Sequence, residues 1–294
     1  MRNFCTVADS NFYDKVCALN HSLHKKNTNY KLHLLCLDED MLTAAADKEN
    51  VICYDIRQLL ESDPHLKKSL NNPPSREALI NSQGDLKRAT EIQFTWAMAP
   101  YFSWWCLDNL GVESILYIDA DIYFYNDHDT LYNHLGDCSV GIVEHRCPYN
   151  PDNGKYNVGI VYFKNNINGY KCSTWWKNCL LLTDHEHYAT HGICGDQKYL
   201  ELFPVLFPEV KVLDPFIGHL APWNFAYHQY TQDGIVWNGT EQDLLYCHFS
   251  NFKPDYEEET YKLAPRHGMV TPNHPFIKKI SDEYFQSLRE FSRC

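Results

Sequence analysis

The period of hydrophobic positions changes repeatedly along the chain. "NFCTVA", residues 3–8, is a short apolar run of the kind a buried strand makes, and residues 11–24 then place Phe12, Val16, Leu19 and Leu23 at helical spacing. "YKLHLLCL" (30–37) reads as a second strand, a short helix follows around 39–47, and "NVICYDI" (50–56) reads as a third strand. This β-α-β-α-β alternation predicts an α/β fold: a mostly parallel sheet covered by helices. Residues 63–85, with "NNPPS" and "NSQG", read as an exposed loop. A long helix is predicted from about 87 to 109, kinked or split at Pro100. Strands are expected at "ESILYI" (113–118), "SVGIVEH" (139–145) and "KYNVGIVYFKN" (155–165). Residues 169–185 carry a helical apolar face, another helix starts near Gly195-Asp196, and short strands alternate with aromatic-rich loops from 211. A last helix is expected over 274–291. No linker divides these elements, so a single domain is expected.

Within "ILYIDADIYFY" (115–125), Asp119 and Asp121 fall where a buried strand should end. Ligands of open α/β sheets bind at the carboxyl ends of strands, and strand alternation turns both side chains to one side. Two carboxylates there repel each other unless a divalent cation lies between them, and hard oxygen ligands suit Mg²⁺ or Mn²⁺. A solvated acidic turn is the plainer reading of so short a motif. A phosphatase of the haloacid dehalogenase type also places Asp-x-Asp after a strand. Here, however, Ile122 stands at its Thr/Val place, the motif sits in mid-chain, and no later Asp-Asp pair completes a magnesium site.

The formal net charge of −12 argues against a nucleic-acid partner held by phosphate contacts. With 44% hydrophobic residues the chain can form a sizeable core. Neither a secretory leader nor an apolar run long enough for an integral membrane segment is read, so a cytoplasmic location is expected, in a bacterium or a virus-infected host cell. The twelve cysteines include no Cys-x-x-Cys pair and read as reduced, mostly buried residues. His185, His187, His191 and Cys194 form a cluster whose spacing matches no strong zinc pattern.

Four segments in order carry a resemblance: "ILYIDADIYF", "YNVGIVYFKN" (156–165), "GDQKYL" (195–200) and "YCHFSNFKP" (246–254). Together they resemble the nucleotide-sugar glycosyltransferases of family 8, glycogenin-like and bacterial galactosyltransferase-like enzymes of the GT-A fold. "LAPWNFAYH" (220–228) is similar to a group of bacterial and algal-virus members. The resemblance spans roughly residues 1–255. It implies a GT-A, Rossmann-like domain: a nucleotide-binding half over 1–125, an acceptor and donor-sugar half over 126–260, and a tail helix over 261–294. The closing motif departs from the family: it lacks its Gly, has one residue fewer between His and Lys, and has Asp255 in place of Trp. Lys198 also replaces the acidic residue after Asp-Gln.

The resemblance implies transfer of a sugar from a nucleotide donor, a UDP-sugar in the first instance, to a hydroxyl of a glycan or glycoconjugate, with Mn²⁺ or Mg²⁺. It implies metal ligation by Asp119, Asp121 and His248, and donor contacts from Thr6, Ala8, Asp9, Arg88, Asp119, Ala120, Asp121, Asn157 and Lys253. Lys253 would meet the diphosphate, and Gly159 would let backbone approach closely. Asp9 equally suits a helix cap. Asp196 and Gln197 take the catalytic place, Asp196 as general base if the anomeric centre inverts or as a donor-orienting group if it is retained. Trp223 is expected to stack on the acceptor sugar, with Asn224 and His219 supplying polar contacts. Trp104-Trp105 and Trp175-Trp176 are expected to pack helices. A non-catalytic nucleotide-sugar or glycan-binding module on the same scaffold is the alternative.

Overall fold

The computed structural model describes residues 1–150, 154–182, 195–214, 217–232, 234–263 and 272–292. The expected alternation is present: β1 (Arg2–Ala8), α1 (Tyr13–Lys26), β2 (Tyr30–Cys36), α2 (Glu39–Ala45) and β3 (Val51–Asp55) follow one another. Asp38 starts α2 by accepting from the Met41 N–H, as N-cap chemistry dictates. α3 (Ile56–Ser62) follows, and the segment expected as a loop, 63–85, instead holds α4 (Pro64–Ser69) and α5 (Arg76–Asn81). The residues that suggested a loop are start signals. Asp63 caps α4 ahead of Pro64, and the Ser75 hydroxyl accepts from the Ala78 N–H.

α6 (Leu86–Asn109) runs unbroken through Pro100. The middle turns of α6, Ala97 to Ser103, are buried. That burial outweighs the roughly 3 kcal/mol that an interior proline costs an isolated helix. β4 (Ser114–Ile118), β5 (Ile122–Phe124), α7 (Asp129–Leu135), β6 (Val140–Glu144), β7 (Tyr156–Lys164) and α8 (Ile167–Leu181) come next. Near Asp196 the expected helix is a 3₁₀ stretch, Gln197–Leu202. The last part holds β8 (Val210–Val212), β9 (Gly218–Leu220), β10 (Gln229–Tyr230), β11 (Gly234–Trp237), β12 (Thr240–His248), β13 (Phe252–Asp255), β14 (Thr260–Leu263) and a final helix, Pro275–Phe291.

Seven strands form the central sheet in the order β3-β2-β1-β4-β7-β6-β8. β3, β2, β1 and β4 are mutually parallel and β8 is parallel to β6, while β7 runs antiparallel to β4 and β6. Alternate residues of β1 show the two covered faces. Phe4 packs with Leu19 and Leu23 of α1, and Cys5 with Met98 and Phe102 of α6. A second sheet, β10-β11-β12-β5, is antiparallel, and β9 joins it beside β12. The ten described cysteines are all free, and six of them are buried. No described helix is long and apolar enough to cross a membrane.

Candidate functional site

Two strand pairings assemble a cluster from distant parts of the chain. β4 ends at Ile118, and the Asp119 N–H donates to the Gly159 carbonyl of β7 (3.0 Å). β12 runs antiparallel to β5 with His248 opposite Ile122, and the Phe249 N–H donates to the Asp121 carbonyl (2.8 Å). The His248 Nε2 thereby stands 3.0 Å from Asp121 Oδ1 and 3.5 Å from Asp119 Oδ2. The Tyr117 hydroxyl, two residues before Asp119 on the same strand face, donates to Asp119 Oδ1 (2.8 Å).

The tautomer of His248 follows from a chain of hydrogen bonds anchored in backbone. The Val158 N–H donates to Gln197 Oε1 (3.2 Å), so that amide accepts there, and the Asn157 Nδ2 donates to the same oxygen (3.1 Å). Asn157 Oδ1 accepts from the Gly159 N–H (3.0 Å) and faces His248 Nδ1 at 3.2 Å. Because that oxygen only accepts, Nδ1 must carry the proton. Nε2 therefore turns to the two carboxylates with either a second proton or a bare lone pair. A lone pair there is stable only beside a cation. The three ligand atoms lie within 4.8 Å of one another, and two hard oxygens with one imidazole nitrogen suit Mn²⁺ or Mg²⁺.

The electrostatics agree with an incomplete set of charges. Burial, and then the neighbouring Asp121 charge, raise the Asp119 carboxyl above its ordinary range, although His248 and Tyr117 pull it down. Burial also works to raise Asp121, yet the charge and hydrogen bond of His248, with Lys15, hold it down at about 2. Gly159 is what lets the imidazole in. A Cβ there would lie 2.6 Å from His248 Nδ1 and 2.7 Å from Asn157 Oδ1, closer than real side chains pack.

The cluster opens into a cavity of about 660 Å³ at the carboxyl ends of β1, β2 and β4. Ala8, Asp9, Arg88, Asp119, Ala120, Asp121, Asn157, Asp196, Gln197, Trp223 and His248 all line it. β7 contributes Asn157 because its antiparallel sense brings its first residues to the end where β4 finishes. Asp9 both lines the cavity and caps the 3₁₀ turn Ser10–Phe12, accepting from the Asn11 N–H (3.0 Å). Asp196 starts the next 3₁₀ stretch without a side-chain capping bond, and its carbonyl is held by the Trp176 indole N–H (2.9 Å). Trp176 is fully buried, as expected of a packing residue, and also positions the catalytic candidate.

Several expected residues lie elsewhere. Thr6 is buried within β1, its hydroxyl has no hydrogen-bond partner, and it does not reach the cavity. Lys253 is exposed on β13 opposite Lys262, also away from the cavity. Of the acceptor trio, only Trp223 lines the cavity. Asn224 is fully buried, donating to the His145 carbonyl and accepting from the Ala221 N–H. His219 is bonded to Asp214 (3.1 Å) and stacked on Tyr246. Trp223 touches the cavity, but it is 5% exposed, its indole N–H donates to the His145 carbonyl, and its ring meets His248 edge-on at 5.1 Å. Folding engages these polar atoms and leaves little ring face for a sugar. The His185, His187, His191 and Cys194 cluster lies outside the described residues.

Other wall residues escaped the sequence reading. Ile92, Thr95, Trp96 and Ala99 share the Arg88 face of α6, a stripe that the helical spacing from Arg88 predicts. Tyr117 follows from strand alternation with Asp119. His145 and Ser250 carry no such signal.

No family model matches the chain. Bacillus subtilis YfnF and YfnD, both described as uncharacterized, are 25% and 24% identical to it; the matches cover 95% and 99% of this chain and 90% and 93% of those proteins. Among solved structures, the galactosyltransferase LgtC, crystallised with donor and acceptor sugar analogs, aligns over 99% of this chain and 97% of its own (TM-score 0.55, 14% identity). Apo mouse xyloside xylosyltransferase 1 aligns over 74% and 87% (TM-score 0.51, 15% identity). The fold is that of the GT-A glycosyltransferases.

Proposed function

We propose that the chain is a metal-dependent glycosyltransferase of the family 8 kind that moves a sugar from a UDP-sugar to a hydroxyl of a glycan or glycoconjugate. The observation that supports this reading is the His248 Nε2, gathered with Asp119 and Asp121 at one point on the wall of a cavity of about 660 Å³. Asp119, Asp121 and His248 would hold Mn²⁺ or Mg²⁺, which supplies Lewis-acid stabilisation of a departing diphosphate. As the anomeric C–O bond breaks, its electron pair leaves with the nucleoside diphosphate, and the acceptor oxygen forms the new bond while losing its proton. Asp9 and Phe12 border the nucleotide end of the cavity, and Asn157, Asp196 and Gln197 the sugar end. Asp196, with its side chain outside any cap, orients the donor or takes the acceptor proton.

A thermal-shift screen of UDP and UDP-sugars, with and without Mn²⁺, tests the reading, together with mass-spectrometric detection of UDP release. A metal-dependent rise in Tm and slow donor hydrolysis are expected. A Tm rise with the donor left intact at high protein concentration would make the chain a binding module. No shift with any nucleotide sugar would end the proposal.

A further inference from the structure

Four aspartates, Asp9, Asp119, Asp121 and Asp196, border the cavity, and Arg88 is the one Lys or Arg among its described lining residues. A diphosphate entering so acidic a wall needs more positive charge than a single guanidinium and one metal ion supply. The lysine of the closing motif is not among the lining residues: Lys253 is exposed on the β13–β14 hairpin.

Lys15 stands in the first turn of α1, half-buried, with its ammonium 4.0 Å from the centroid of the Phe12 ring. Phe12 is itself part of the cavity wall. α1 packs along β5, the strand that begins immediately after Asp121, and the Phe124 N–H donates to the Ser22 hydroxyl of α1 (3.1 Å). The amine thus lies against the Phe12 ring of the cavity wall without itself lining the cavity as it stands. Among the described residues it has no carboxylate at ion-pair distance, and its cation–π contact is of the weak, exposed kind that a phosphate readily replaces.

We infer that Lys15 supplies the lysine contact to the donor's diphosphate, the place that the closing motif assigns to Lys253. This rests on the glycosyltransferase reading and adds to it a binding residue from the opposite end of the chain. The test is calorimetric titration of the whole protein, at saturating Mn²⁺, with UDP and with uridine. Lys15→Gln should weaken UDP binding about tenfold or more and leave uridine binding unchanged. Lys15→Arg should restore UDP affinity to within about threefold, and Lys253→Gln should stay within about twofold of wild type. Three outcomes overturn the assignment: unchanged UDP affinity in Lys15→Gln, equal loss of UDP and uridine in that variant, or a larger loss in Lys253→Gln. If the wild type binds neither UDP nor uridine, the glycosyltransferase reading falls first and takes Lys15 with it.

Discussion

Two clusters in this molecule each set carboxylate against a buried imidazole, and they are built to opposite ends. Around Asp214 the set is closed. Arg146 donates its Nε to Asp214 and its other nitrogens to Gln242 (3.0 Å) and the Ile217 carbonyl (2.6 Å), while His219 adds a second contact to the Asp214 carboxylate and the Glu144 N–H a third. Burial works to raise the Asp214 carboxyl, but His219 and Arg146 hold it far below the ordinary range. Around Asp119 and Asp121 no arginine is at ion-pair distance among the described residues. His248 is shared between two acids, one carboxyl is pushed up while the other is held down, and the cluster faces a cavity. A complete buried network holds the protein together, whereas a network left one cation short is a place for a ligand.

The comparison can be broken by removing one charge from each cluster. Asp121→Asn should lower kcat/KM about 10³-fold, roughly 4 kcal/mol of transition-state stabilisation, and abolish the Mn²⁺-dependent part of the thermal shift. The metal-free variant should unfold in urea somewhat below the wild-type midpoint, but by less than Arg146→Met, because the His248 contact that favours ionised Asp121 is lost while the repulsion with Asp119 is relieved. Arg146→Met should do the reverse. It leaves Asp214 buried without its guanidinium and should cost at least about 3 kcal/mol in urea unfolding, with Mn²⁺ affinity unchanged in the folded fraction. A stable Arg146→Met, or an unstable Asp121→Asn, would erase the distinction.

Acid should find the closed region next. His228 lies beside it, its Nδ1 bonded to the Asn224 carbonyl (2.9 Å) and its Nε2 without a partner. Burial, helped by the charges of His219 and Arg146, lowers its pKa from 6.5 to about 4. The folded state therefore prefers the neutral ring. This contribution is whole above about pH 6.5 and is withdrawn as pH falls toward 4, by about 2 kcal/mol at pH 5. Urea midpoints measured from pH 7 to 5 should show a slope to which buried His33 also contributes, and His228→Gln should remove about 2 kcal/mol of it at pH 5. The smallest effect sharpens the open side. In Gly159→Ala the new methyl displaces the His248 ring, and Mn²⁺ affinity by calorimetry should fall about tenfold, near 1.4 kcal/mol.

Much of this contrast was visible in the order of residues. The acidic pair was legible because strand alternation and the carboxyl-end rule are local and general. The strand order was legible in outline because apolar runs alternate with helical spacing. What stayed hidden depended on long-range partners. Trp223, Asn224 and His219 look like sugar contacts in a string of letters, yet they serve the His145 carbonyl, the Ala221 turn and Asp214. Arg146 sits at φ 55° in a segment with no motif at all. The split at Pro100 did not occur because the burial that carries α6 through it comes from neighbours that the local sequence does not name. Lys253 lies on the β13–β14 hairpin and not among the cavity's lining residues, a pairing that no local signal announces.

The pairing of β12 with β5 has a consequence for how the protein is made. The ribosome delivers the acidic pair long before the imidazole, and the register that joins them closes a very large loop. Half-synthesised molecules thus hold a lone pair of acids with no nitrogen to share an ion. Competence to hold manganese would then switch on late in maturation, and uptake of the metal by a refolding sample would time the docking of β12.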